Sequence, residues 1–233
     1  MNSDLLLIPI LFTASVFLSC SNNKTSQEIY VMLDQTELYF NHLTIDQIKD
    51  FSTLKKDVDR GEIIHVQGIT ELRRTDKATI SIPYYNSILG NEIKRKNYVD
   101  NYFSQIDSVL QTMKSRKNRR NGSSILIPLF ENLNMLSGSL ALSRKLIINS
   151  DLDDNMLPVN SSQNLYDLIR IEPDKARFTI MNKIPLNDLS GIEIIIFYLP
   201  QSKIDDEKFE ILSSFYKEIF ESRGAKVKIA GTI

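Results

Sequence analysis

The sequence predicts an α/β fold, namely a doubly wound, mostly parallel six-stranded sheet with helices on both faces. Apolar runs of strand length alternate with stretches of helical periodicity, which is typical of parallel sheets. These runs are apolar almost throughout, as expected of strands buried on both faces. The predicted strands cover residues 28–33, 62–69, 78–82, 145–149, 192–199 and 226–230.

Helices are predicted where apolar residues recur every three or four positions, in residues 44–56, 94–114, 126–136, 164–170 and 205–223. The last is the clearest, because acidic residues begin it and Gly224 follows it. In the second, Tyr98 and Tyr102 belong to the predicted apolar stripe. Pro128 requires that the third begin late or kink. The run at 78–82 alternates and ends at Pro83, which predicts an antiparallel edge strand.

The N-terminus is typical of an export signal. Residues 5–18 carry no charge, and as a helix they would span about 21 Å, less than a bilayer core of ~30 Å. That length fits the apolar region of a secretory signal. The following Ser19-Cys20 resembles the lipobox of bacterial lipoproteins, in which a small residue precedes the cysteine that becomes the lipidated N-terminus. An uncleaved membrane anchor and a misplaced start codon are the alternatives.

The lipobox resemblance implies a signal peptide over residues 1–19, a lipidated Cys20 with a polar tether over 20–27, and a folded domain over 28–233. Acidic residues directly after the cysteine mark surface export in some lipoproteins, and residues 21–24 contain none. We therefore expect a protein that is lipid-anchored to a membrane of the cell envelope and faces the periplasm.

Composition excludes several other classes. A single cysteine cannot form an internal disulfide, and it excludes zinc fingers built on cysteines. The 28 basic and 29 acidic residues give no overall electrostatic reason to bind nucleic acid. The basic run at 114–120 has no interleaved aromatic residue and is interpreted as a solvated loop. We therefore expect no nucleic-acid partner.

Acidic residues follow two of the predicted strands. Asp34 comes directly after the first strand and Asp151 shortly after the fourth. Doubly wound sheets bind ligands at the carboxyl ends of their strands, where the strand order reverses. Thr36 and Ser123, or the adjacent Ser124, would add hydroxyl groups, and Mg²⁺ prefers such oxygen ligands. The sequence therefore predicts a divalent-metal site between these strand ends.

The order of these features is similar to that of von Willebrand factor A-like (VWA) domains across residues 28–233. A strand ends in Asp34-x-Thr36, a serine opens the loop before a helix, and a later strand ends in Ser150-Asp151. The resemblance implies a six-stranded sheet in the order 3-2-1-4-5-6, in which strands 1 and 4 are neighbours.

The same resemblance implies a metal-ion-dependent adhesion site for Mg²⁺ or another divalent cation, with the ligands Asp34, Thr36, Ser123 and Asp151. The sequence departs from the family pattern at Leu38, where a second serine is expected, so water would have to replace one ligand. A cation held largely by neutral groups keeps excess charge, which an acidic residue of a partner can compensate. The alternative is a metal-free site in which Asp34 caps a turn and Asp151 accepts backbone hydrogen bonds.

These expectations predict a non-catalytic protein that binds another, unidentified envelope protein. A metal-independent scaffold or assembly lipoprotein with the same fold is the alternative. A metal-dependent phosphoester hydrolase is the least favoured, because no base or nucleophile stands near the acids in sequence. Asp153 and Asp154 are interpreted as a solvated loop or a rim of the site.

Overall fold

The computed structural model describes residues 25–35, 43–69, 76–86, 90–115, 124–155 and 164–231. Its strands are β1 (Gln27–Asp34), β2 (Glu62–Ile69), β3 (Lys77–Ile82), β4 (Ser143–Asn149), β5 (Ile192–Phe197) and β6 (Lys226–Ala230). They form one sheet in the order β3-β2-β1-β4-β5-β6, in which β3 is antiparallel to β2 and the other neighbours are parallel. The predicted fold class, strand order and antiparallel edge strand are confirmed.

The helices are α1 (Ile45–Phe51), α2 (Glu92–Ser115), α3 (Leu126–Ser137), α4 (Leu165–Ile171), α5 (Pro173–Lys183) and α6 (Lys203–Ser222), with a 3₁₀ turn at Thr53–Lys55. They cover both faces of the sheet. One buried cluster joins alternate residues of β1 to α1 and α2, and the other joins the remaining β1 residues to α3, α4, α5 and α6. Within the described ranges, no helix is both long and apolar enough to cross a bilayer.

Three predicted helices differ from the observed ones. Helix α1 ends at Phe51, because the Ser52 hydroxyl accepts a hydrogen bond from the backbone N–H of Leu54 and begins the 3₁₀ turn. On α2, Tyr98 was wrongly assigned to the core: it is half exposed, and Val99 is buried instead. Pro128 neither delays nor interrupts α3, because a proline in the first helical turn removes an N–H that has no partner within the helix.

The carboxyl group of Glu62, the first residue of β2, is buried beneath α2. It accepts hydrogen bonds from the hydroxyls of Ser52, Thr53 and Tyr102 and from the backbone N–H of Thr53. Burial raises the pKa of Glu62 above its usual value of 4.5, although the hydrogen bonds oppose that shift. The fold therefore binds the proton of this group more tightly than the unfolded chain does.

This shift predicts a pH-dependent stability. Because the folded-state pKa is raised, the contribution of Glu62 is fully present below pH 4.5 and is lost as the pH rises through the raised pKa. Glu62→Gln cannot titrate, so the difference in unfolding free energy between the variant and the wild type should shift in favour of the variant from pH 4.5 upward. Urea unfolding of both proteins, at pH 4.5 and at several higher pH values, measures this difference in unfolding free energy. A difference that is constant with pH would contradict the prediction.

All the parallel strands begin at one end of the sheet and finish at the opposite end. We call the side on which they begin the amino edge and the side on which they finish the carboxyl edge. Both run across the strands and are distinct from the outermost, or edge, strands. At the amino edge the guanidinium of Arg95, from the first turn of α2, is buried. It donates hydrogen bonds to the backbone carbonyls of Val58, Arg60 and Pro83 at 2.6, 2.7 and 3.0 Å. One side chain thus joins α2 to the loop before β2 and to the end of β3.

Candidate functional site at the carboxyl edge

The candidate site is built where β1 and β4 end side by side. Leu33 of β1 pairs with Asn149, the last residue of β4, so Asp34 lies beside Ser150. The Ser150 hydroxyl donates a hydrogen bond to Asp34 Oδ2 at 2.9 Å, and the Asp34 side chain is fully buried. The neighbouring strands thus bring together residues 116 positions apart in the chain.

The loop after β4 is held by hydrogen bonds between its side chains and its own backbone. The Ser150 hydroxyl accepts from the N–H of Leu152 at 3.0 Å, and Asp151 Oδ1 accepts from the N–H of Asp153 at 2.9 Å. Leu152 has a φ of 67°, a left-handed conformation that is uncommon for a leucine. Its side chain is fully buried, and this packing holds the loop in the strained conformation.

Asp154 is a structural residue, which corrects its interpretation as a solvated or rim residue. Its carboxylate is almost completely buried and accepts hydrogen bonds from the backbone N–H groups of Ile125 and Leu126, at 3.0 and 2.8 Å. These N–H groups begin α3 and have no partner within the helix, and the positive end of the helix dipole favours a negative charge there. Asp154 therefore fixes the start of α3 against the site loop.

Asp153 joins the same loop to α6. Its carboxylate receives a hydrogen bond from Lys208 Nζ at 2.6 Å. Burial opposes the charge on Lys208, but the hydrogen bond and charge of Asp153, together with the charge of Asp151, outweigh it and raise the pKa of Lys208. Three of the surrounding elements, β1, α3 and α6, are thus each connected to the loop by a side chain. The sequence offered no signal for the contacts of Asp153 or Asp154, because both partners are distant in the chain.

Tyr216 of α6 lies beneath this loop and is fully buried. Its hydroxyl has no hydrogen-bond partner within the described part of the chain. Burial, reinforced by the charges of Asp154, Asp153 and Asp151, raises its pKa well above the ordinary value for a tyrosine. The phenol therefore stays neutral at physiological pH.

Two of the four implied metal ligands, Asp34 and Asp151, lie within the described residues. Thr36 and Ser123 lie outside them, as do Leu38 and the predicted lipidation site Cys20. In the described ranges no group of three or more His, Cys, Asp or Glu side chains is arranged to hold a metal ion. The potential metal ligands at the β1–β4 junction are carboxylate and hydroxyl oxygens, which are the types of ligand that a hard divalent cation prefers. Such a cation would need further oxygens from Thr36, Ser123 or water.

No protein-family model matches the chain, and no curated protein matches it. Among solved structures, the chain is similar to the VWA domain of SpRpn10, at 8% identity and a TM-score of 0.33, over 88% of this chain and 87% of that one. A likeness of this strength does not assign the chain to a family. The fold class rests on the strand order and strand directions described above.

Proposed function

We propose that the protein is a membrane-tethered binding domain of the bacterial cell envelope that docks another envelope protein at its carboxyl edge. The observation that carries this proposal is the junction of β1 and β4, where Asp34, Ser150 and Asp151 come together at the point where the strand order reverses. The side-chain contacts of the loop hold these oxygen atoms in fixed positions. A rigid set of oxygens at a switch point suits recognition of a ligand.

In this proposal Asp34, Thr36, Ser123 and Asp151 contribute to binding Mg²⁺ or another divalent cation. An acidic residue of the partner then completes the coordination shell and supplies affinity. This is a binding chemistry, and it requires neither a nucleophile nor a general base. The lipid on Cys20 keeps the domain at the membrane, facing the periplasm.

Removing the charge of Asp34 is expected to abolish cation binding. Asp34→Asn keeps an oxygen that can accept the Ser150 hydroxyl, so the hydrogen bond seen in the structure is preserved. In the wild type, Mg²⁺ or Mn²⁺ at a hundredfold excess over its dissociation constant should add about 2.7 kcal/mol to the unfolding free energy. Thermal unfolding with and without the cation measures this gain, which should vanish in Asp34→Asn.

Asp206→Asn is the matched control for that experiment. Asp206 is an exposed acid in the first turn of α6, at the same edge of the sheet, so its variant should keep the full cation-dependent gain. Equal gains in wild type and Asp34→Asn would remove Asp34 from the proposed metal site.

A metal-independent scaffold is the second candidate function. It is favoured by the hydrogen bond between the buried Asp34 and Ser150 and by the ion pair of Asp153 with Lys208, because protein groups already pair with these two acids. Cross-linking in the membrane fraction, in Mg²⁺ and in chelator, distinguishes the two. Equal partner capture in both conditions favours the scaffold, whereas capture only in Mg²⁺ favours the metal-dependent contact.

The tether is tested by feeding cells a tagged fatty acid. The wild-type protein is expected to carry the label, and Cys20→Ala is expected to lose it, because Cys20 is the single cysteine in the chain. Label that persists in Cys20→Ala would contradict lipidation at this residue.

A further inference from the structure

Large apolar side chains are exposed at the amino edge, which lies at the opposite ends of the strands from the candidate site. In the loop between α3 and β4, Leu140 is 95% exposed and Leu142 is 72% exposed. At the other end of this edge, Ile93 in the first turn of α2 is 75% exposed, and Val58 and Tyr84 are about half exposed. Single exposed apolar residues are ordinary on a protein surface. Here two groups of them lie at the same edge of the sheet, one at each end of it.

The chain emerges between these two apolar groups. The backbone N–H of Ser26 donates to the carbonyl of Gly61 at the start of β2, and the carbonyl of Ser26 accepts from the N–H of Ser143 at the start of β4. Leu140 and Leu142 lie on the β4 side of Ser26. Tyr84 and the α2 residue Ile93 lie on the side of β2 and β3. The apolar surface therefore flanks the point from which the chain leads back toward Cys20.

The sequence distance from that point to Cys20 is short. Thr25 lies five positions after Cys20, and a fully extended segment of that length spans at most about 18 Å. A lipid on Cys20 would therefore keep the amino edge within that distance of the bilayer surface. Anchoring so close to the bilayer gives these apolar side chains a high effective concentration at its surface. A membrane-inserted state is then populated even if each side chain inserts only weakly.

We propose that the amino edge is a membrane-contact surface, in which Leu140 and Leu142 on one flank and Ile93 on the other enter the interfacial region of the bilayer that holds the Cys20 lipid. This inference rests on the proposed lipid anchor. It gives the domain one orientation, with the amino edge on the membrane and the carboxyl edge directed away from it toward a partner. The tether would then set the distance of the domain from the membrane, and the apolar side chains would set its tilt.

The test uses the full-length lipidated protein in vesicles of phosphatidylethanolamine and phosphatidylglycerol. Leu140→Cys, Leu142→Cys and Ile93→Cys are each labelled with a fluorophore, since lipidation leaves Cys20 unavailable for labelling. Nitroxide-bearing lipid is expected to quench these labels severalfold more than iodide in the water does. Ile204→Cys is the matched control, because Ile204 is 79% exposed at the start of α6, at the carboxyl edge. Its label should show the opposite preference.

The outcomes separate this inference from the proposed anchor. Protein that floats with the vesicles but carries labels at 93, 140 and 142 that behave like the label at 204 overturns the membrane-contact surface alone. Protein that does not float with the vesicles overturns both the anchor and the surface. All three exchanged residues are exposed, so none of the variants removes a core contact.

Discussion

Replacing Arg95 by methionine is expected to lower the unfolding free energy by about 3 kcal/mol or more, the largest effect we expect from a single polar side chain. Methionine fills the space of the aliphatic stem but leaves the partly buried carbonyls of Val58, Arg60 and Pro83 without their donor. Each carbonyl loses a hydrogen bond to a charged group, and such bonds contribute about 1.5–3 kcal/mol. Urea unfolding of the two proteins measures the change.

Two further variants serve as controls for Arg95→Met. Lys96→Met alters an exposed residue of the same helix and should change stability by no more than about 0.5 kcal/mol. Arg95→Lys keeps the charge, but a lysine cannot reproduce the planar fork that reaches three carbonyls, so most of the loss should remain. A change in Arg95→Met as small as that in Lys96→Met would show that the three carbonyls find other partners.

The second large effect is expected from Asp154→Ala, which should lower the unfolding free energy by about 2–3 kcal/mol. The substitution leaves the N–H groups of Ile125 and Leu126 without the carboxylate that accepts from both. Because the same residue fixes the loop that carries Asp151, the variant should also lose capture of the proposed partner. Denaturant unfolding and cross-linking in membranes measure the two effects.

Asp154→Asn and Asp153→Ala are the controls for this variant. Asparagine retains an oxygen acceptor but loses the negative charge at the start of α3, so it should show an intermediate loss. Asp153→Ala removes the partly exposed ion pair with Lys208, whose loss should cost about 1 kcal/mol or less. If Asp154→Ala costs no more than Asp153→Ala, the helix start is held by other contacts.

The strands could be predicted from the sequence almost to the residue, because each is a short, nearly continuous apolar run. β2 and β6 have the predicted bounds, and β1 differs by one residue at each end. Helix α5 was missed because only Ala176 and Ile180 are buried on it, which leaves no apolar stripe to recognise. The assignment of Tyr98 failed for a different reason. Tyr98 and Val99 are consecutive apolar residues, and either could precede Tyr102 and Ile106 on the buried face, where the structure places Val99.

The candidate site was predictable only as far as strand order determines it. The alternation of strands and helices, together with the resemblance to VWA domains, placed Asp34 and Asp151 at the same edge. The hydrogen bond of Ser150 to Asp34 spans 116 positions of the chain, and those of Asp154 to Ile125 and Leu126 span 29 and 28. No short sequence pattern predicts such pairs, because the residues around each partner would form the same strand, loop or helix without the other partner. Thr36 and Ser123, which lie outside the described residues, stay predictions.

The position of β1 at the centre of the sheet has a consequence for the order of folding. Its first partner, β2, follows closely in the chain, but its second partner, β4, begins at Ser143. Closing so long a loop is slow, and contacts between distant residues delay folding. We therefore expect the β1–β4 junction to form late, after the shorter-range units. A partner that recognises this edge would bind only chains that have completed their fold, so docking would also select against unfinished or truncated molecules.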